Sequence, residues 1–386
     1  MREILNHLPR QWREKARELG ALSRGRSIRR PESLLRLNML YATNGGSFQQ
    51  AAAGMALTEG IALSKVAAFK RVRKSASWLR WMAEGVCENS GLSLPKPSFL
   101  GSRRVILVDA TAEASKGSKQ SDYRLHYAFD LFNFQCRSME LTDAKEGEKL
   151  SRFGIDSEDI FIGDRIYCSI SGIEHAVSHG GSFVLRFKSK GFHLYDSKGE
   201  RLDLLKRLKP LKAFESKSVP CFYRLPDGVL RPVRIVAMRK DAKSIAQCER
   251  RMARKASRKQ EKAVQQDTAE LNKYIVLATN LEYSDAQVLE LYRARWQIEQ
   301  LFFRLKSLFG YGDTPNMRDD TARAWFYGKL LLAAICESIL KRMAFPPGLD
   351  TIIADIVGAQ FVERIVPGSQ MGDDDSVELH EKSERP

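Results

Sequence analysis

Apolar positions recur at helical spacing over residues 1–98, crowd into short runs from Arg104 onward, and return to helical spacing from Ser284. In the first stretch, Gly45 and Gly46 precede Ser47, which reads as the N-cap of a helix through Gln49 and Ala51. A second helix is predicted from Leu63 to Met82, and Pro95 and Pro97 mark a linker. The runs that follow read as strands: RVILVDAT, ending in a carboxylate; YRLHYAFDLF and FQCRSMELT, a hairpin turning at Asn133; DIFIGD; and SFVLRFKS. Helices are predicted over Gly147 to Phe153 and in ISGIEHAVSHG, which stops at a glycine. Strands interleaved with helices predict an α/β chain.

Residues 186–272 break this rhythm with strand-like pieces (FHLYD, VPCFYRL, GVLRPVRIVAM) and a charged helix. KYIVLATNL then resumes the buried strands, one long helix is predicted from Ser284 to Phe309, and further helices reach Phe345. The pattern divides the chain into residues 1–98, all helical; 99–185, the first part of a core; 186–272, a β-rich insertion with a basic helix; 273–345, the rest of the core; and 346–386, a C-terminal segment. Its end, from Ser369, has six Asp and Glu against two Lys and Arg and no periodicity, and reads as disordered.

Charge narrows the partners. Lys and Arg number 63 against 47 Asp and Glu, a net charge of +16 and a pI near 9.6. Residues 1–98 hold 17 Lys and Arg against seven Asp and Glu, and residues 239–262 hold ten against three. Such an excess points to a polyanion, nucleic acid first. A membrane is disfavoured: the N-terminus has no apolar signal core, and LLLAAIC, Leu330 to Cys336, is too short to span a bilayer. Six scattered cysteines with no C-x-x-C pair argue against zinc knuckles and a disulfide framework and fit a reducing cytosol.

The most informative segment is YRARWQIEQLFFRLK, Tyr292 to Lys306. On a continuous helix of about 100° per residue, Tyr292, Arg295, Glu299 and Lys306 share one stripe about 60° wide, apart from the leucine face. A solvated face with an Arg295–Glu299 pair would read the same way. The alternative is one carboxylate set among cations that grip phosphates, Arg as a planar fork and Lys as a point charge.

The spacing Y-x-x-R-x-x-x-E-x-x-x-x-x-x-K resembles the signature of the insertion-sequence-four family of DDE transposases. That resemblance covers about Leu34 to Glu337. It implies an RNase H-like mixed-sheet catalytic core with a β-rich insertion, preceded by an all-α DNA-binding region. It also implies two upstream aspartates, matched by Asp109 at the end of RVILVD and Asp164 at the end of DIFIGD. DRIY, Asp164 to Tyr167, looks like the family's D-R-x-Y-type segment, with Ile166 where a glycine is common. Asp109, Asp164 and Glu299 are then the catalytic, metal-holding residues. The metal is Mg²⁺, with Mn²⁺ able to substitute, because these hard ions take carboxylate oxygens. Two such ions about 4 Å apart serve phosphodiester cleavage without a covalent protein nucleophile. Tyr292, Arg295 and Lys306 are expected to contact DNA. So are Arg71, Arg73 and Lys74 of the second basic helix, the reader of a helix-turn-helix.

Taken alone, each aspartate reads equally as a strand-end turn residue. Glu113 and Asp122 rival Asp109, and Asp156 and Asp159 rival Asp164. His175 and His179, four apart, read as surface histidines for want of a third ligand. Trp296, beside the stripe, is either core or a platform for an unpaired base. The function implied is cut-and-paste DNA transposition by a homodimer that joins two terminal inverted repeats and target DNA, in a bacterial cytoplasm at the nucleoid. A nuclease or resolvase without strand transfer, and an inactive DNA-binding derivative, stay as alternatives.

Overall fold

The computed structural model describes residues 2–23, 27–89, 94–115, 117–259, 266–311, 314 and 318–344. The C-terminal segment predicted from residue 346, with its acidic end, lies outside the described residues. Two compact units emerge: the chain up to Glu148 together with that from Gln297 forms one, and Lys149–Trp296 forms the other.

The first unit opens with helices α1 (Arg2–Asn6), α2 (Trp12–Glu18), α3 (Pro31–Thr43), α4 (Phe48–Glu59), α5 (Lys65–Val72) and α6 (Ala76–Asn89). Ser47 caps α4 by accepting the Gln50 N–H, and Ser64 caps α5 through the Ala67 N–H. The helix predicted from Leu63 to Met82 is two helices. Lys74 and Ser75 donate to Arg71 and Val72 in tight three-residue turns, and Ser75 starts the next helix by accepting the Leu79 N–H. Ser75 is fully buried, and its hydroxyl joins Asn38 Nδ2 (3.1 Å) to the Arg71 carbonyl (3.2 Å). Trp78 is also fully buried and donates its indole N–H to the Trp12 carbonyl at 2.8 Å. Ser64→Ala is expected to cost about 1 kcal/mol, read as a lower urea midpoint for the full chain.

Three strands follow: β1 (Arg104–Glu113), β2 (Tyr123–Asp130) and β3 (Gln135–Asp143), antiparallel in the order β3-β2-β1. The predicted hairpin is present, with Phe134 in the left-handed region at its turn. The predicted end of β1 is corrected: Asp109 does not close the strand, because pairing with β2 continues from Asp109↔Tyr127 to Glu113↔Tyr123.

In the second unit the predicted helix over Gly147 to Phe153 is only a 3₁₀ turn, Leu150–Arg152. One turn with no tertiary stripe is too short to carry a helix. Then come β4 (Asp159–Gly163), α7 (Ile170–Ser178), β5 (Ser182–Arg186), α8 (Leu204–Leu208), β6 (Ser216–Arg224), β7 (Leu230–Arg239), α9 (Ala242–Lys259), α10 (Gln266–Leu271), β8 (Tyr274–Thr279) and α11 (Asp285–Arg293). Strand order is β4-β5-β8-β7-β6, with β4 and β5 parallel and the rest antiparallel. The insertion is therefore an extension of the core strands: β7 zips onto β8 over Arg234 to Arg239, and β6 forms the edge. Pro220 sits on that edge, and Pro232 lies beyond the last β8 partner, so neither lost N–H interrupts the pairing. FHLYD contributes only isolated bridges at Tyr195.

The chain returns to the first unit through α12 (Trp296–Phe309) and α13 (Asp319–Ala344). α13 packs along α6 and α3. Gly328 permits this approach, since a Cβ there would lie 3.0 Å from Ala42 Cβ. It also closes the β3 edge. The Leu141 N–H donates to Tyr327 Oη (3.2 Å), and Arg323 donates to the Leu141 carbonyl (2.8 Å).

Candidate active site

The site begins with alternation along β1. Asp109, Thr111 and Glu113 stand at every second position and share one side of the strand, together with their register partners Tyr127 and Tyr123. α12 lies over that side. Phe302 meets Tyr127 edge-on with ring centroids 6.2 Å apart, and Lys306 Nζ stands 3.0 Å from Glu113 Oε1. Tyr127 marks the level of Asp109 and Glu113 lies four residues further on, so α12 runs in the same direction as β1. Glu299 lies three residues before Phe302, nearly one turn, on α12. Lys306 follows Glu299 by seven residues, two turns, on the same helix face. β1 thus carries Asp109 on the side that α12 covers, and Glu299 shares its face of α12 with Lys306, which reaches Glu113.

Asp109 and Glu299 are half-buried, and Asp109 Oδ1 accepts the Ala110 N–H at 2.8 Å. In the second unit Asp164 follows β4 directly, is half-buried, and accepts the Ile166 N–H at 2.8 Å. Ile166 needs no glycine-like conformation there. Among the described residues only Phe134 and Phe214 are non-glycines with positive φ. Four residues on, burial pushes the Cys168 thiol up to about 12, which removes it as a nucleophile.

The single stripe predicted for Tyr292, Arg295, Glu299 and Lys306 does not form. The helix breaks at Ala294 and Arg295, where the Arg295 N–H donates to the Tyr292 carbonyl at 3.1 Å before α12 starts at Trp296. Tyr292 and Arg295 belong to the second unit and are buried, 8% and 4% exposed, with the guanidinium 6.0 Å from the Tyr292 ring centre. Glu299 and Lys306 keep their shared face. Trp296 is 45% exposed and is not core.

Each rival acid has another occupation. Glu113, 4% exposed, is bound by Lys306 and by Thr111 Oγ1 (3.2 Å). Asp122 braces its loop by accepting the Ser115 N–H (2.8 Å) and Ser118 Oγ, and the backbone bond holds its carboxyl below the usual range. Buried Asp159 accepts the Asp156 N–H. Glu113 as the partner of Lys306 is what reading the chain alone missed, although two-residue alternation from Asp109 already puts it on the same side. His175 and His179 lie against backbone carbonyls, those of Phe153 and His175. On α5 and in the turn after it, Arg71 donates to the Ser23 carbonyl (3.4 Å), Arg73 lies 3.9 Å from Asp320, and Lys74 is exposed. Lys65, Val66 and Lys70 are exposed on the same helix.

Carboxylate oxygens such as those of Asp109 and Glu299 suit a hard divalent cation and not a soft one. Among the described residues, no three His, Cys, Asp or Glu side chains are drawn together into a finished cation site. No helix among them is long and apolar enough to cross a membrane.

A mixed α/β sheet preceded by helices is the architecture of an RNase H-like fold. The family model described as Transposase DDE domain matches residues 100–335. The putative transposase InsL for insertion sequence element IS186A of Escherichia coli (strain K12) is 30% identical over 355 residues, 89% of this chain and 95% of its own length. The transposase for insertion sequence element IS421 of Escherichia coli is 30% identical over 356 residues, with the same shares. The transposase for insertion sequence element IS231E of Bacillus thuringiensis subsp. finitimus is 24% identical over 296 residues, 67% of this chain and 60% of its own. The chain belongs to the DDE transposase family, enzymes that bind DNA, cleave it and transfer strands with the help of a divalent metal.

Proposed function

We propose that this chain performs cut-and-paste transposition with Asp109, Asp164 and Glu299 as its metal-holding carboxylates. The observation that carries the reading is α12 lying along the Asp109 side of β1, with Lys306 bound to Glu113 and Glu299 two turns before Lys306 on the same helix face. Mg²⁺, or Mn²⁺ in its place, supplies Lewis-acid stabilisation of the charge that develops on the phosphoryl oxygens. The three carboxylates fix where that cation stands. Lys306 contacts a phosphate beside the scissile bond and holds the strand in line, while Arg295 and Tyr292, expected at the phosphates from the chain alone, are buried at the turn before α12 and brace that helix. Water attacks phosphorus, the bond to the 3′-oxygen breaks, and the element end leaves with a free 3′-hydroxyl. That hydroxyl then attacks a target phosphodiester in the same site, and a target 3′-oxygen departs.

The helices α4 and α5 with their capped turn form a helix-turn-helix. The exposed Lys65, Val66 and Lys70 of α5 face the groove, and Arg71, Arg73 and Lys74 track the backbone. An element has two ends, so a homodimer holding both terminal inverted repeats is the working assembly, acting at the nucleoid of a bacterial cytoplasm. Replacing Arg71, Arg73 and Lys74 together by alanine is expected to lower the slope of log affinity against log salt by up to about three. Titrating end DNA at several salt concentrations measures it.

The test of the whole reading is excision in cells of a marker placed between the gene's own flanking sequences, wild type against Glu299→Ala. Excision that vanishes in the variant supports it. No excision from wild type, with DNA binding intact, points to an inactive DNA-binding derivative, and excision that persists in the variant removes Glu299 from the chemistry.

A further inference from the structure

We propose that Glu113 is a positioning residue for the cleavage reaction: it holds Lys306 so that its ammonium meets a DNA phosphate already aligned. The inference rests on the transposase reading and goes beyond it, since Glu113 lies outside the carboxylate triad and the family signature. Lys306 Nζ stands 3.0 Å from Glu113 Oε1, and Thr111 Oγ1 donates to the same oxygen at 3.2 Å. The Glu113 side chain is 5% exposed and that of Lys306 31%. One end of the pair is therefore fixed in the core while the other reaches water. The fully buried Tyr311 phenol feels the same carboxylate: burial first, and the Glu113 charge second, push its pKa well above the usual value.

Two consequences follow from the charges. An ammonium has three N–H donors, so Lys306 can keep Glu113 and still donate to a phosphate. Withdrawing it entirely would leave a buried carboxylate without its cation, which is strongly unfavourable. A phosphate therefore meets a lysine whose long stem is already ordered. Because the pair is neutral overall, it adds little to the bulk attraction for DNA and acts on alignment in the transition state. Rate and affinity should separate.

The test uses the purified full chain, Mg²⁺, and a duplex carrying the element's own end sequence, with single-turnover cutting at saturating duplex, duplex Kd and Tm measured for each variant. Glu113→Gln keeps the size and the acceptor oxygen but loses the charge. It is expected to slow cutting about tenfold or more with Kd changed no more than about twofold, and Lys306→Met, which also removes a phosphate contact, to slow cutting at least as much and to weaken Kd as well. The double variant should be no slower than the slower single, because both remove one interaction. Glu113→Asp, which keeps the charge, should cut faster than Glu113→Gln, and it carries the comparison if Glu113→Gln does not fold. Cutting at the wild-type rate by Glu113→Gln overturns the proposal. So do losses that multiply in the double variant, or a Kd of Glu113→Gln that weakens as much as the rate falls. Failure of wild type to cut defeats the transposase reading itself, whereas wild-type cutting unaffected by Glu113→Gln defeats only the role of Glu113.

Discussion

Asp109→Asn is expected to lower cleavage of end DNA by about 10³-fold or more, some 4 kcal/mol of transition-state stabilisation, while DNA binding survives. The carboxamide is nearly the size of the carboxylate, and β1 stays paired with β2 from Ile106 to Glu113, so the fold has no reason to fail. What is lost is the charge, and a neutral amide is a poor ligand for a hard dication. The informative control is Asp122→Asn, a few residues on. Asp122 accepts the Ser115 N–H and Ser118 Oγ and so serves its own loop, and its replacement is expected to change cleavage by no more than about threefold. Gel-resolved single-turnover cutting, with band shifts for binding, reads both. Activity that persists in Asp109→Asn, or falls equally in Asp122→Asn, would place the first acid elsewhere.

Much of the frame around Asp109 can be read from the chain alone. The runs RVILVD, DIFIG and YIVLAT are buried strands, short apolar segments rich in β-branched and aromatic residues that suit a sheet core. Ser47 announces its helix by chemistry that works locally. The breaks are harder. YRARWQIEQLFFRLK has no Gly or Pro, and every residue in it tolerates a helix, yet the chain turns at Ala294 and Arg295. Such a break is set by where the flanking helices pack: α11 rests on β5, β6 and β7, whereas Phe302 and Lys306 of α12 belong to Tyr127 and Glu113. Propensity yields to that packing. The break at Ser75 was more legible, because a serine before ASWLRW is a cap signal inside an otherwise helical pattern. That β7, within the β-rich insertion expected over 186–272, pairs with β8 could not be read, since strand partners distant in sequence leave no local trace.

Removing divalent metal is expected to abolish cutting, and Asp164 offers the sharper form of that test. A chelator should take the wild type to background, a fall of at least about 10³-fold, and Mg²⁺ or Mn²⁺ should restore it. Asp164→Cys exchanges a hard oxygen for a soft sulfur. It gives up the bond from the Ile166 N–H, a cost of about 1 kcal/mol that the buried strand β4 can bear. If Asp164 holds the ion, the variant is dead with Mg²⁺ and recovers in part with Mn²⁺ or Cd²⁺, which accept thiolate. Of the native thiols in that unit, Cys168 and Cys221 compete poorly, because burial raises both to about 12 and keeps them protonated. Equal activity of Asp164→Cys in Mg²⁺ and in Mn²⁺ would show that the side chain at this position does not ligate the ion. Undiminished cutting by wild type in chelator would remove metal from the mechanism altogether. Recovery confined to the thiophilic ions has no explanation except direct coordination, since a variant damaged only in its turn would be equally poor with every cation.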